Sequence, residues 1–272
     1  MERGVLKLPR EPYVVFSLIT LFMLAFAFYI LRPGGLGALT AFGNGVYVLF
    51  AVIAAIFGFA AVRLSGTKSS QGKLLLFLAL AVAADAVAGL VWFWYEIVRG
   101  VEPFPSFADA IWILYYVFAI IGFGYALLRV RKFLRTPLLI ISFAVWGVIT
   151  AFVLHSTLAR IFADESYSAL EKLLSAMYPA GDLSLLLLIF LLFTTLRRGA
   201  FGTSLAAFLL AFTLTAVGDL IFSYQSWTGV YETGSMIDLF WLAGQLLIAY
   251  GFFLQLKTFT PSKAVQATDT AR

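Results

Sequence analysis

Two aspartates, Asp85 and Asp219, stand near the middle of long apolar runs that offer no Lys or Arg at the same depth. A buried carboxyl needs hydrogen-bond donors or water. At mid-membrane it costs about 2.5–3.5 kcal/mol on insertion scales, so it faces a bundle interior or a wet cavity. Each is followed by an acid–indole pair at the start of the next apolar run, Asp109-x-x-Trp112 and Asp238-x-x-Trp241. Seven residues beyond each of these acids stands a further polar group, Tyr116 and Gln245. At helical spacing, Asp85, Gly89, Trp92 and Glu96 share one face, and Thr215, Asp219 and Ser223 share another. Asp182 opens the sixth apolar run. The candidate ligand-binding set is therefore Asp85, Asp219, Asp109, Asp238, Trp112, Trp241, Tyr116, Gln245, Glu96 and Asp182. Its chemistry is that of an outward-facing cavity walled by carboxylates and aromatic rings. The alternative is water activation by two carboxyls sharing a proton, which would need Asp182 beside Asp219. As the opener of its span, Asp182 is expected to lie too shallow for that.

Other chemistries lack their residues. There is no Cys, which excludes disulfides, thiolate metal sites and cysteine nucleophiles. The one His, His155, excludes bis-His haem and multi-His metal centres. No span carries a mid-membrane Lys for a retinal Schiff base, and no phosphate-binding Gly loop, HExxH or G-x-S-x-G occurs. No catalytic residue, metal ligand or cofactor is assigned.

The elements that must carry these groups follow from composition. Of 272 residues, 62% are hydrophobic and 12% charged, with a mean hydropathy of +0.97. Soluble domains sit near 45–50% apolar and about 25% charged. The chain therefore reads as an all-α, polytopic protein of the cell membrane, which excludes a soluble enzyme, a disordered chain and a nucleic-acid partner. Zero Cys and a single Asn, Asn44, suit a thermophilic source. Eight stretches reach the span length of about 20 residues: Tyr13–Leu31, Val46–Leu64, Leu74–Val98, Ala110–Val130, Leu138–Leu158, Tyr178–Leu196, Ser204–Tyr224 and Met236–Leu256. The first has a basic lead but no small-x-small cleavage pattern, and reads as an uncleaved span. With the N-terminus inside, 15 basic residues fall on cytoplasmic segments and only Arg32, Arg99, Arg160 and Lys172 outside. The positive-inside rule then predicts N-in/C-in.

Acids distribute the other way. Only Glu2, Glu11 and Asp269 lie inside, and the outer boundary carries nine, a field that attracts cations. Asp109, Asp182 and Asp238 lie at or near span N-termini, where a carboxylate caps free N–H groups. Outer aromatics such as Tyr29, Tyr47, Trp94, Tyr178, Tyr224 and Tyr231 suit a headgroup belt. Between spans five and six, a Ser168/Glu171 capping box and apolar residues at Leu170, Leu173, Leu174 and Met177 predict a short helix lying in the outer interface.

The chain also resembles itself. Asp85 matches Asp219, Asp109-x-x-Trp112 matches Asp238-x-x-Trp241, Gly122-Phe123 matches Gly251-Phe252, and Pro12 with Ser17 echoes Pro137 with Ser142, at offsets of 134, 129, 129 and 125 residues. A duplicated four-span unit is expected, residues 12–132 and 137–257, with 258–272 as a cytoplasmic tail. Four spans are an even number, so the two units run parallel, with a site at their interface.

The run Asp219-x-x-Phe222-x-Tyr224-x4-Gly229-x-Tyr231-x-x-Gly234-x3-Asp238-x-x-Trp241, with Tyr178-Pro179-x-Gly181-Asp182, resembles the eight-helix N-terminal membrane modules of archaeal and bacterial sensor histidine kinases and diguanylate cyclases. The resemblance is best over spans six to eight and implies a sensory module. Only Lys257–Arg272 follows the last span, so signalling would pass through a partner protein in the membrane or cytoplasm. Gly181-Asp182 and Ala216-x-Gly218-Asp219 more weakly resemble intramembrane aspartyl proteases and lysoplasmalogenase-like hydrolases, without the proteases' Pro-Ala-Leu element. The function expected is a receptor-like module binding a small or lipid-borne ligand. The alternatives are a paired-Asp hydrolase or a small transporter, and membrane lipid is the other expected partner.

Overall fold

A computed structural model describes residues 8–199 and 201–260. Eight of its helices are long and apolar enough to cross a membrane, and among the described residues there is no strand. They are α1 (Glu11–Leu31), α2 (Gly35–Ser65), α3 (Ser70–Val98), α4 (Phe107–Phe133), α5 (Thr136–Ala163), α6 (Ala169–Leu196), α7 (Gly202–Trp227) and α8 (Asp238–Phe259). Such lengths and hydropathies are those of a multi-pass membrane protein.

Local chemistry sets several helix starts. Proline occupies the first turn of α1 and of α5, where its missing N–H removes no intrahelical bond. The Ser69 hydroxyl accepts from the Gly72 N–H at α3, and reciprocal capping boxes of Ser106 with Asp109 and of Ser168 with Glu171 open α4 and α6. Single π-helical turns, Trp94–Val98 and Leu154–Leu158, end α3 and interrupt α5.

Packing makes a closed ring of six helices in the order α2, α3, α4, α6, α7, α8 and back to α2. Helix α1 lies outside the ring against α8, and α5 lies outside against α6. Accordingly α8 is the most enclosed helix, and α5 is the least, with Ile140, Ile141, Val148 and Phe152 on its open face. Side-chain bonds tie the helix ends into two layers. Lys257 pairs with Glu11, and Gln71 donates to Gln255, which donates to Ser204. At the opposite end Tyr29 donates to Asp238, Asn44 to Glu96, Tyr178 to Asp109 and Trp227 to Asp164. The first layer collects Arg63, Lys68, Lys73, Arg129, Arg131, Lys132, Arg135, Arg197 and Arg198, and the second collects most of the acids. They are called the basic and the acidic end below.

Toward the basic end the ring is filled. Phe123, Phe208 and Phe252 have no exposure at all, and their rings meet edge to face, at centroid separations of 6.4 Å for Phe123–Phe208 and 5.3 Å for Phe208–Phe252. Close approach depends on glycine here: a Cβ on Gly251 would lie 2.6 Å from the Phe208 ring, and one on Gly122 would lie 3.0 Å from Phe77 Cβ.

Three sequence expectations are corrected. The second span does not begin at Val46. Its helix starts at Gly35, because the turn is completed at Arg32-Pro33-Gly34, with Arg32 and Gly34 in the left-handed region. The glycines at 35, 37, 43 and 45 dilute the apolar signal without breaking the helix, and Asn44 is thereby buried within it. No separate interfacial helix lies before span six. Residues 169–177 are the first turns of α6, which runs unbroken through Pro179 and turns Leu174, Ser175 and Tyr178 inward. Asp182 therefore does not open its span; it is the fourteenth residue of a 28-residue helix, too far along to cap it.

Candidate functional site

A cavity of about 100 Å³ opens inside the ring above the phenylalanine layer, on the acidic side. Its lower wall is made by Asp85 of α3, Tyr116 of α4, Asp219 of α7 and Gln245 of α8. Each mid-helix carboxylate is held by several donors. Asp85 accepts from the Tyr47 hydroxyl at 2.6 Å, the Trp112 indole at 2.9 Å and the Gln245 amide at 3.1 Å. Asp219 accepts from the Trp241 indole at 2.7 Å and the Tyr116 hydroxyl at 2.6 Å.

The bonding pattern crosses. Each aspartate takes an indole N–H from the helix that follows its own: Trp112 serves Asp85 and Trp241 serves Asp219. Each also takes a donor seven residues beyond the other acid–indole motif: Gln245 of α8 serves Asp85, and Tyr116 of α4 serves Asp219. The two N-terminal and two C-terminal helices around the cavity are thus joined through its floor.

Asp182 adds a second carboxyl beside Asp219. The Tyr116 hydroxyl lies 3.0 Å from Asp182 Oδ1 and 2.6 Å from Asp219 Oδ2, so the two oxygens are separated by no more than the sum of those distances. A phenol has one proton to give, so the second Tyr116 contact is a hydrogen bond only when a carboxyl supplies the proton. Asp182 Oδ2 is buried and has no hydrogen-bond partner among the described residues. The expectation that Asp182 is too shallow to meet Asp219 is therefore overturned, and the cause is the unbroken passage of α6 through Pro179. Room for the Tyr116 ring comes from Gly181, where a Cβ would overlap ring carbon Cδ1.

Toward the acidic end the carboxylates brace the walls. Asp238 accepts from the Gly234 N–H at 2.7 Å, from the Tyr29 hydroxyl at 3.1 Å and from the Tyr231 hydroxyl at 3.2 Å. It therefore closes the loop between α7 and α8 onto α1. Burial, and then the Asp238 carboxylate, push the Tyr231 phenol well above its ordinary range, which keeps it a donor. One oxygen of Glu96 accepts from Asn44 at 2.8 Å, Thr233 at 2.9 Å and Trp92 at 3.1 Å. Above the floor, Trp92, Trp112, Phe222, Tyr231 and Trp241 form a connected aromatic wall, with neighbouring ring centroids 4.8 Å apart for Phe222–Tyr231 and 5.5 Å apart for Trp92–Trp112.

Of the residues singled out from sequence, Asp85, Asp219, Asp238, Trp112, Trp241, Tyr116 and Gln245 line the cavity. Glu96 and Asp182 stand behind its wall, Glu96 accepting from the lining residues Trp92, Asn44 and Thr233 and Asp182 meeting the Tyr116 hydroxyl. Asp109 stays at the start of α4, where it accepts from the Ser106 N–H at 2.6 Å and from the Tyr178 hydroxyl. Tyr29, Tyr47, Tyr178 and Tyr231, expected in a headgroup belt, turn their hydroxyls inward onto carboxylates, whereas Trp94 and Tyr224 are exposed as a belt requires. A counting signal was present: buried carboxylates without Lys or Arg must draw donors from Tyr, Trp, Asn and Gln on neighbouring helices. His155 is exposed in the π-helical turn of α5 and does not reach the cavity. Among the described residues no cluster of His, Cys, Asp and Glu could hold a metal ion. No protein-family model, curated protein or solved structure matches the chain.

Proposed function

We propose that this chain is an eight-helix, receptor-like sensory module of the cell membrane that takes a small or lipid-borne ligand into its cavity. The crossed bonding at the floor carries this reading. A ligand that competes for Asp85 or Asp219 displaces Gln245 or Tyr116, and either displacement weakens the junction between the two halves. Occupancy then has a differential effect on two arrangements of the bundle, which a conformational signal requires. The equivalent indole bonds of Trp112 and Trp241 support a duplicated four-helix unit with parallel halves, 12–132 and 137–257. Charge bias supports an acidic end outside and both termini inside. The resemblance to sensor-kinase and cyclase membrane modules points the same way, with a signalling protein as the partner that receives the change. A transporter is less well supported, since the Phe123, Phe208 and Phe252 layer fills the ring beneath the cavity.

One observation favours a second reading. Asp182 and Asp219, with Tyr116 between them, have the proximity of a proton-sharing carboxyl pair that activates water for hydrolysis.

Thr215 lines the cavity, and the chain has no natural Cys, so Thr215→Cys introduces a single thiol there. In nanodiscs, the introduced thiol is expected to react with the small neutral reagent methyl methanethiosulfonate, and a bound ligand is expected to protect it. An unreactive thiol in folded Thr215→Cys protein would mean a sealed, dry pocket and end the receptor reading. Asp182→Asn separates the alternatives: it abolishes turnover if the protein is a hydrolase and leaves ligand protection of the introduced thiol in place if it is a receptor.

A further inference from the structure

Resting on the receptor reading, we infer that the ligand is a small organic ammonium ion that also carries a hydrogen-bond donor. The cavity shows three features that select it together. First, its polar complement is acceptor-rich and carries no positive charge. Asp85, Asp219 and Asp238 are on the wall, Glu96 and Asp182 lie directly behind it, and among the described residues no Lys, Arg or His lines it. An anion is thereby refused. Second, Gln245 is buried, with 4% exposure, and its amide donates to Asp85 while its carbonyl Oε1 has no partner among the described residues. An unpaired buried acceptor on a cavity wall calls for a donor from the occupant. Third, much of the remaining wall is aromatic. Trp92, Trp112, Phe222, Tyr231 and Trp241 surround the space with ring surface.

An inorganic cation fits this wall poorly. Ca²⁺ takes six to eight oxygen ligands and Mg²⁺ demands a near-ideal octahedron, whereas here the lining carboxylates come from three different helices and their oxygens are mostly engaged by indole, phenol and amide donors. Aromatic faces with carboxylates behind them recognise alkylated nitrogen instead, through the attraction of a cation for the ring quadrupole. The volume of about 100 Å³ is several times the roughly 10–15 Å³ of cavity space that one water needs. It suits an ion of a few heavy atoms, such as free choline with its hydroxyl, or ethanolamine with its N–H donors. That chemistry is shared by free amines and by lipid headgroups.

The test uses the Thr215→Cys protein in phosphatidylglycerol nanodiscs, which contain no ammonium lipid. Three thiosulfonates are compared: neutral methyl, cationic trimethylammonium-ethyl and anionic sulfonatoethyl, each rate divided by its rate with a free thiol. The expected result is a cationic reagent at least tenfold faster than the anionic one, with 10 mM choline or ethanolamine protecting the thiol and the neutral isostere 3,3-dimethyl-1-butanol failing to do so. Asp85→Asn and Asp219→Asn should each shrink the cation preference. Protection by phosphatidylethanolamine nanodiscs without added amine identifies a lipid headgroup as the source, and protection only by added amine identifies a free solute. If the neutral reagent reacts but cationic and anionic reagents react alike, or the butanol protects as well as choline, the ammonium inference is overturned while the accessible cavity stands. If not even the neutral reagent reacts, the receptor reading itself falls.

Discussion

Tyr116→Phe removes a single oxygen from the middle of the bundle and nothing else. That oxygen lies 3.0 Å from Asp182 and 2.6 Å from Asp219. Asp219 keeps the Trp241 indole, but Asp182 keeps no donor, because its other oxygen is already buried and unpaired. A hydrogen bond to a charged group contributes about 1.5–3 kcal/mol, whereas interhelical bonds within a membrane average about 0.6 kcal/mol because the unfolded reference finds other partners. A carboxyl left with no partner belongs toward the upper figure, so the expected loss is about 2 kcal/mol. Tyr115→Phe is a matched control. Tyr115 is the adjacent residue, equally buried, and its hydroxyl has no hydrogen-bond partner among the described residues; its loss should fall within about 0.5 kcal/mol, as for changes that break no specific interaction. Reversible SDS titration of the two variants in mixed micelles, followed by Trp fluorescence, measures both. Adding Asp182→Leu to Tyr116→Phe should recover part of the loss, since replacing both partners of a buried bond with apolar groups is close to neutral. Equal destabilisation by Tyr116→Phe and Tyr115→Phe, or a Tyr116→Phe loss below about 0.5 kcal/mol by the same criterion, would refute the bridging role.

Two further outcomes are accessible with the same preparations. Gly181→Ala drives a methyl into the Tyr116 ring and should cost about 1–3 kcal/mol by overpacking, whereas Gly124→Ala, in α4 with nothing within 4 Å, should gain up to about 1 kcal/mol from helix propensity; SDS titration decides, and equal effects would refute the packing account. The Asp164 carboxyl is held below the usual carboxylate range by the Ser166 side chain, the Trp227 indole and the Ser166 backbone N–H. A depressed folded value stabilises above the ordinary carboxylate pKa and loses that effect as pH falls through the lowered value. Trp227 emission should therefore hold steady to mildly acidic pH and change only below the ordinary carboxylate range, and Asp164→Asn should remove that transition.

Much of the fold could be derived from the chain alone, and physics says why. Spanning length and hydropathy are local properties, so the eight helices were countable, and the largest misplacement of an end came where glycine blurred the signal, at the start of α2. Gly35 to Gly45 read as a loop because glycine lowers hydropathy, yet helix α2 tolerates those positions once neighbouring helices cover them. The sixth span reads as starting at Tyr178 after a separate interfacial helix, but the burial of Leu174, Ser175 and Tyr178 on one continuous helix offsets the roughly 3 kcal/mol that an interior proline costs. Asp85 and Asp219 could be marked as interior groups from desolvation energy alone, because that penalty does not depend on which neighbour relieves it. The neighbours themselves were another matter. Tyr47 and Tyr178 had the composition of belt residues, and only helix rotation and ring order turned their hydroxyls onto Asp85 and Asp109. Likewise the exchange of Gln245 for Tyr116 across the floor, and the meeting of Asp182 with Asp219, join residues 37 to 160 positions apart. Residue type states that a carboxylate must find a donor. Which donor it finds is settled by the closure of six helices into a ring, a long-range event that no local pattern encodes.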